Sequence, residues 1–120
     1  MRRTPYLVKF LATDLRRYAM NYREMQPVAE DLADVMKTLA HPSRLMALCA
    51  IMEEELPVGA LAEAVGLRPQ AMSQQLAILR NKGLVSTRRD GQTIYYALAD
   101  ANIRQLMQAL YRTYCEPKAR

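Results

Sequence analysis

The chain has 120 residues, 51% of them hydrophobic, which suffices for one small domain with its own core. Seventeen Lys and Arg against twelve Asp and Glu give a net charge of +5, which suits a polyanionic partner. No run approaches the ~18 apolar residues of a membrane span, and the basic start lacks the length and cleavage site of a signal peptide. We therefore expect a cytoplasmic protein without membrane attachment.

The N-terminal residues 1–25 are predicted to be an extension, since the apolar residues between Tyr6 and Met20 fall at helical spacing. Its role stays open, because Met20 and Met25 are both possible translation starts. Residues 26–120 form the predicted domain. Pro27 opens its first helix, which has an apolar stripe of Val28, Leu32, Val35 and Leu39.

The second helix of this domain is predicted to begin at Pro42, directly after His41. A histidine in this position is more typical of a helix cap or a surface residue than of a metal ligand. The inward stripe of the helix includes a cysteine and consists of Leu45, Leu48, Cys49 and Met52.

The stretch from Arg68 to Val85 predicts an amphipathic helix that begins at Pro69 and ends at Gly83. Its apolar stripe is Met72, Leu76 and Leu79, and its opposite face carries uncharged donors and acceptors: Gln70, Gln74 and Asn81, with Ser73 on the flank. A short helix precedes it, with Val58, Leu61 and Val65 inward and Gly66 in the turn. Such a helix-turn-helix, with a small polar face on its second helix, suits the major groove of DNA, although a merely solvated face is the alternative.

A β-hairpin is predicted next, because alternating runs flank Asp90-Gly91. A type I′ turn is expected there, with positive φ at both central residues. One face of this predicted wing carries Val85, Thr87, Arg89, Ile94, Tyr96 and Leu98.

The last helix is predicted to begin at Asp100 and has a broad apolar face of Ile103, Leu106, Met107, Leu110, Tyr111 and Tyr114, which Cys115 continues. In so small a domain, this extra apolar helix is expected to bury itself against a second subunit. The sequence therefore predicts a homodimer.

The order of Ser73-Gln74-Gln75-Leu76, Gly83-Leu84-Val85, Arg89, Gly91 and Tyr96 resembles the ArsR/SmtB family of small bacterial winged-helix repressors. The resemblance runs from about Gln26 to the C-terminus. It implies a mainly α fold with a small β-hairpin wing (α+β), a dimer with dimerisation helices at both ends of the domain, and binding to double-stranded operator DNA with an inverted repeat. Pro57 and Arg68 depart from the family pattern, which usually has a capping hydroxyl there.

The predicted DNA contacts combine base-reading amides with basic residues that suit phosphate. Ordinary solvated charge is the alternative for the basic residues. The DNA-binding set is Arg68, Gln70, Ser73, Gln74, Gln75, Arg80, Arg88, Arg89 and Gln92.

Metal binding and catalysis find little support. The segment before the turn, Leu56 to Gly59, has no cysteine, and the last helix offers Asp100 and Glu116 without an imidazole. With a single histidine and no Gly-rich loop, we expect no enzyme, no metal and no cofactor. A metal-responsive or non-sensing ArsR-type repressor remains an alternative, and a protein-interaction module without specific DNA binding is the alternative of a different class.

Spacing alone leaves Cys49 and Cys115 open as buried fillers or reactive thiols. Their positions resemble the BigR, SqrR and HlyU subgroup of persulfide- and redox-responsive repressors. That resemblance implies that reactive sulfur species or oxidants bridge the two thiols as a disulfide or polysulfide and release the DNA. Whether persulfide or peroxide is the inducer stays open.

Overall fold

The computed structural model describes residues 22–117, so the helix predicted between Tyr6 and Met20 lies outside the described residues. After a 3₁₀ turn at Gln26–Val28, the elements are α1 (Ala29–Leu39), α2 (Pro42–Ala50), β1 (Leu56–Pro57), α3 (Val58–Val65), α4 (Pro69–Asn81), β2 (Val85–Asp90), β3 (Thr93–Leu98) and α5 (Ala101–Tyr114). The chain divides into two compact units between Val35 and Met36. Within the described ranges, no helix is long and apolar enough to cross a membrane.

The core of the second unit forms where α3 packs on α2 and α4, and where α5 packs on α2 and β3. The predicted stripe of α4 is confirmed, since Met72, Leu76 and Leu79 are 0% exposed. Their burial stabilises the fold by roughly 1.5–3 kcal/mol per side chain relative to exposure. The other large, fully buried side chains are Leu48, Ile51, Leu61 and Met107.

The starts of α2 and α5 follow the predicted signals, whereas α1 begins at Ala29 and the predicted start, Pro27, lies in the preceding 3₁₀ turn. His41 caps α2, because its Nδ1 accepts a hydrogen bond from the Ser43 amide at 3.2 Å. Asp100 caps α5 in the same way through the Ile103 amide at 3.0 Å. Pro57 and Arg68 provide no side-chain cap, so the first amides of α3 and α4 lack that support.

A left-handed glycine ends each helix of the helix-turn-helix. Gly66 has φ 85° after α3, and Gly83 has φ 75° shortly after α4. Glycine adopts this conformation without the steric cost of a Cβ atom. The sharp turn and the C-terminal stop are therefore as predicted.

The three strands form one antiparallel sheet in the order β1-β3-β2. The hairpin and its predicted face are confirmed by the pairs Val85↔Leu98, Thr87↔Tyr96 and Arg89↔Ile94. The sequence did not predict β1, whose two residues pair with Tyr95 and Tyr96. These elements make a winged helix-turn-helix, mainly α with a β-hairpin wing, as expected.

The prediction of a type I′ turn at Asp90-Gly91 is wrong. Asp90 still pairs with Thr93, so the loop residues are Gly91 and Gln92. Gly91 has φ 65°, and no non-glycine residue of the described chain has positive φ. Positive φ at the first loop residue alone, with glycine there, fits a type II′ turn.

Candidate DNA interface and thiol pair

The outer face of α4 presents uncharged polar side chains to solvent. Gln70, Ser73 and Gln74 are exposed, while the helix packs inward through its buried stripe. Their amides and hydroxyl are thus available to hydrogen-bond base edges. Asn81, on the same predicted face, is also exposed.

Gln75 differs from these neighbours because it is half-buried and already has a partner. Its Oε1 accepts a hydrogen bond from Arg44 Nη1 at 2.9 Å, and Arg44 Nε donates to the Thr38 carbonyl at 2.6 Å. Gln75 therefore joins α4 to the start of α2 in the free chain. Its predicted contact with DNA has the amide NH₂ group and the second lone pair of Oε1 left to use.

Positive charge lies at both ends of α4. Arg68 and Arg80 are exposed, and their side chains have no ion-pair or hydrogen-bond partner among residues 22–117. Guanidinium groups so placed are free to pair with phosphate oxygens.

The two adjacent arginines of the wing point to opposite faces of the sheet. Arg89 lies on the face of Ile94 and is exposed, and within residues 22–117 the one hydrogen bond of its side chain runs from Nη1 to the Gly91 carbonyl, at 3.5 Å. Arg88 lies on the other face, where its guanidinium carbon is 4.7 Å from the centroid of the Tyr95 ring. The exposed Gln92 is at the tip.

Arg88 is also paired with a carboxylate that precedes β1. Its Nε donates to Glu55 Oε1 at 2.9 Å and to Oε2 at 3.2 Å, and Nη2 donates to Oε1. Hydrogen bonding to Arg88 lowers the pKa of Glu55, so the carboxylate stays ionised below its usual range. Sequence reasoning missed Glu55.

Both cysteines are free thiols with unlike surroundings: Cys49 in α2 is half-buried and Cys115 after α5 is exposed. Burial raises the pKa of Cys49, and repulsion from Cys115 raises it further. The two thiols belong to elements that pack together, since α2 contacts α5 and Cys115 directly follows α5. The exposure of Cys115 also argues against an interpretation as a buried filler.

A cleft of about 430 Å³ is lined by Arg112 and by Glu116, which follows Cys115 in the chain; neither cysteine is among its lining residues. The loop after α2 forms the other wall and is fixed by a hydrogen bond from Arg104 Nη1 to the Met52 carbonyl. The full lining is Met52, Glu53, Gln108, Tyr111, Arg112 and Glu116.

Metal ligands do not converge in the part of the chain that the structure describes, where no group of three His, Cys, Asp or Glu could hold an ion. The Nδ1 atom of His41 is used in capping α2. Asp100 and Glu116 flank opposite ends of the 14-residue α5, which separates them by about 20 Å at 1.5 Å per residue.

Comparison with known proteins identifies a family of bacterial regulators. The family described as "Bacterial regulatory protein, arsR family" matches residues 41–87. The biofilm growth-associated repressor of Xylella fastidiosa strain 9a5c is 39% identical over 91% of this chain and 95% of its own length.

Two solved structures are similar throughout their length. The transcriptional repressor BigR from Xylella fastidiosa is 41% identical over 80% of this chain and 98% of its own, with a TM-score of 0.74. Reduced HlyU from Vibrio cholerae is 36% identical over 78% of this chain and 99% of its own, with a TM-score of 0.73. The chain therefore belongs to the arsR family of bacterial regulatory proteins, close to BigR and HlyU, and is a DNA-binding transcriptional regulator rather than an enzyme.

Proposed function

We propose that this protein is a cytoplasmic, homodimeric repressor that releases operator DNA when Cys49 and Cys115 of one subunit are bridged by reactive sulfur species or oxidants. The observation that carries the proposal is that α2, which holds Cys49, packs against α5, which Cys115 directly follows, and that both thiols are free. The raised pKa of Cys49 agrees with this placement. The similarity to BigR and to reduced HlyU supports it.

The unequal exposure of the thiols suggests an order of events. Exposed Cys115 attacks the outer sulfur of a persulfide RSSH, which gives Cys115–S–SH and releases RSH. Cys49 then attacks the inner sulfur of Cys115–S–SH, which forms the disulfide and releases H₂S. If both thiols first become persulfides, their condensation gives a trisulfide and one H₂S. With H₂O₂, Cys115 becomes a sulfenic acid, and Cys49 displaces water from it.

Such reagents reach Cys115 directly because it is exposed, and it precedes Glu116, which lines the cleft between the loop after α2 and the last turns of α5. A bridge would tie these two helices together covalently. Since α2 packs on both α3 and α4, a shift of α2 would change the orientation of the reading helix. A population shift of a few kcal/mol is enough to empty an operator, because each ~1.4 kcal/mol changes binding tenfold.

On DNA, the α4 helix of each subunit enters a major groove. The two α4 helices of the dimer occupy successive major grooves of an inverted repeat. Gln70, Ser73 and Gln74 contact bases, with Gln75 supporting the helix through Arg44. The remaining contacts are to phosphate or the minor groove, from Arg68, Arg80, Arg88, Arg89 and Gln92.

The proposed dimer is supported by large apolar side chains of α1 and α5 that are exposed in one subunit alone. Leu32 and Met36 of α1 are 40% and 51% exposed, and Tyr111 and Tyr114 of α5 are 43% and 80% exposed. Sedimentation should find a dimer, and Leu32→Asp should weaken it at least tenfold while Asp31→Asn leaves it intact. A wild-type monomer at micromolar concentration would contradict this part of the proposal.

The thiol switch is tested by treating the reduced protein with an organic persulfide. Affinity for the DNA upstream of its own gene is measured beside intact-mass and peptide spectra. The wild type should lose affinity as the bridge forms, while Cys49→Ser and Cys115→Ser should bind normally and not respond. Release of DNA from either variant under persulfide would overturn the paired-thiol mechanism.

The alternatives are tested in the same assay. Zinc, nickel, cadmium and arsenite at stoichiometric amounts should leave the affinity unchanged; chelator-reversible release by any of them would support the metal-responsive alternative. A protein-interaction module would show no preference for the upstream DNA over random competitor.

A further inference from the structure

The geometry around Arg88 points to a second role for the loop before β1. We propose that Glu55 is an intramolecular competitor for DNA phosphate at Arg88, and therefore a built-in brake on DNA affinity. The proposal rests on the wing contacting DNA as described above.

The pair has the form that DNA would offer. Two guanidinium nitrogens of Arg88 face both oxygens of Glu55, at 2.9 Å and 3.2 Å from Nε and with Nη2 on Oε1. Arginine binds phosphate through the same two-pronged arrangement. A guanidinium that uses these N–H groups for Glu55 cannot use them for a phosphate oxygen at the same time.

The pair is open to exchange. The side chains of Arg88 and Glu55 are 53% and 37% exposed, and exposed ion pairs are weak because water and salt screen them. A phosphate that approaches the wing can therefore displace Glu55. Tyr95, 4.7 Å below the guanidinium, keeps Arg88 on the same face in either state.

The neighbouring arginine gives an internal contrast. Arg89 has no carboxylate partner in the described part of the chain and contacts only the Gly91 carbonyl, at 3.5 Å. In the wing, Arg89 is thus available to phosphate, whereas Arg88 is already paired with Glu55. Glu55 also carries its charge at mildly acidic pH, because hydrogen bonding to Arg88 lowers its pKa.

The test compares Glu55→Gln with Glu54→Gln, which removes the same charge from the adjacent exposed position. Affinity for upstream and for random DNA is measured across a salt series. Glu55→Gln should bind both DNAs several-fold more tightly than Glu54→Gln. Its plot of log affinity against log salt should steepen by up to about one unit, because Arg88 then binds phosphate as an unpaired cation and no longer exchanges one anionic partner for another.

Arg88→Gln completes a double-mutant cycle. The gain in DNA affinity from Glu55→Gln should vanish in the Arg88→Gln background, because the guanidinium for which Glu55 and phosphate compete is then absent. A gain that persists there, a gain equal to that of Glu54→Gln, or a loss of affinity would each overturn the brake.

Arg89→Ala separates this failure from failure of the proposed interface. If Arg89→Ala weakens binding and Glu55→Gln has no effect, the wing contacts DNA but Glu55 is no competitor. If neither variant changes affinity, the wing does not contact DNA and both proposals are wrong.

Discussion

The reading half of the molecule, α3 to β3, and the thiol half, α2 and α5, are built on different principles. In the reading half, Met72, Leu76 and Leu79 are completely buried and set the orientation of an exposed polar face. In the thiol half, α2 and α5 pack together; Cys49 is half-buried, Cys115 is exposed, and an open cleft lies between the loop after α2 and the last turns of α5. The first half thus provides a preformed surface, whereas the second exposes groups that can react.

The largest expected effect tests how far the reading half depends on its buried anchors. Leu76→Ala should lower the free energy of unfolding by about 2–5 kcal/mol, because it leaves a cavity in the core. Ile78→Ala is the matched control on the same helix, since Ile78 is 38% exposed, and should change stability by no more than about 0.5 kcal/mol. Equal losses in denaturant unfolding would contradict the burial argument.

The next effect separates base-specific contacts from phosphate contacts within the reading half. Gln74→Ala should reduce discrimination between operator and random DNA by roughly 1–3 kcal/mol, because an exposed amide of α4 no longer bonds a base. Arg89→Ala should weaken both DNAs alike and lower the salt dependence by about one phosphate contact. Titrations of both DNAs across a salt series measure the two quantities. Equal weakening on both DNAs by Gln74→Ala would remove Gln74 from base reading.

What the sequence predicted well has local causes. The stripe of α4, the caps His41 and Asp100, and the glycines after α3 and α4 depend on neighbours within a few residues, so periodicity and cap preferences suffice. The wing was located by its alternation, but its turn type was mistaken because Asp90 stays in the β2 ladder opposite Thr93.

What the sequence could not predict involves partners that are distant in the chain. Glu55 and Arg88 are 33 residues apart, Arg44 and Gln75 are 31, and Arg104 and Met52 are 52. The two-residue β1 is too short for any alternation and contains a proline. The prediction that the two cysteines lie close together likewise came from a resemblance and not from their spacing in the sequence, because their distance depends on how α2 packs against α5.

A smaller effect tests the thiol half at the start of α2. His41→Ala should destabilise the protein by about 1 kcal/mol, because the Ser43 amide loses its side-chain acceptor. His41→Asn should retain most of the stability, since asparagine is a good helix cap. Thermal unfolding of the three proteins measures this. If His41→Asn is as unstable as His41→Ala, the imidazole serves some purpose other than capping.

The smallest effect concerns the electrostatic link between the two thiols. Burial and the charge of Cys115 both raise the pKa of Cys49, so less of it is thiolate at a given pH than in an ordinary cysteine. Cys115→Ser removes the repulsion and leaves the burial. The pKa of Cys49 should therefore fall but remain above normal, and its alkylation at fixed pH should become faster, because the thiolate is the reactive form.

The measurement is the rate of Cys49 alkylation against pH, followed by peptide mass spectrometry in the wild type and in Cys115→Ser. The midpoint of the rate profile should move to lower pH in the variant. Tyr114→Phe, which changes a neighbouring exposed residue without removing the thiol, should leave the profile in place. Identical profiles for the wild type and Cys115→Ser would mean that the sulfur atoms do not interact. The bridge proposed between the two thiols would then lose its electrostatic support, although the unequal exposure of the thiols would remain.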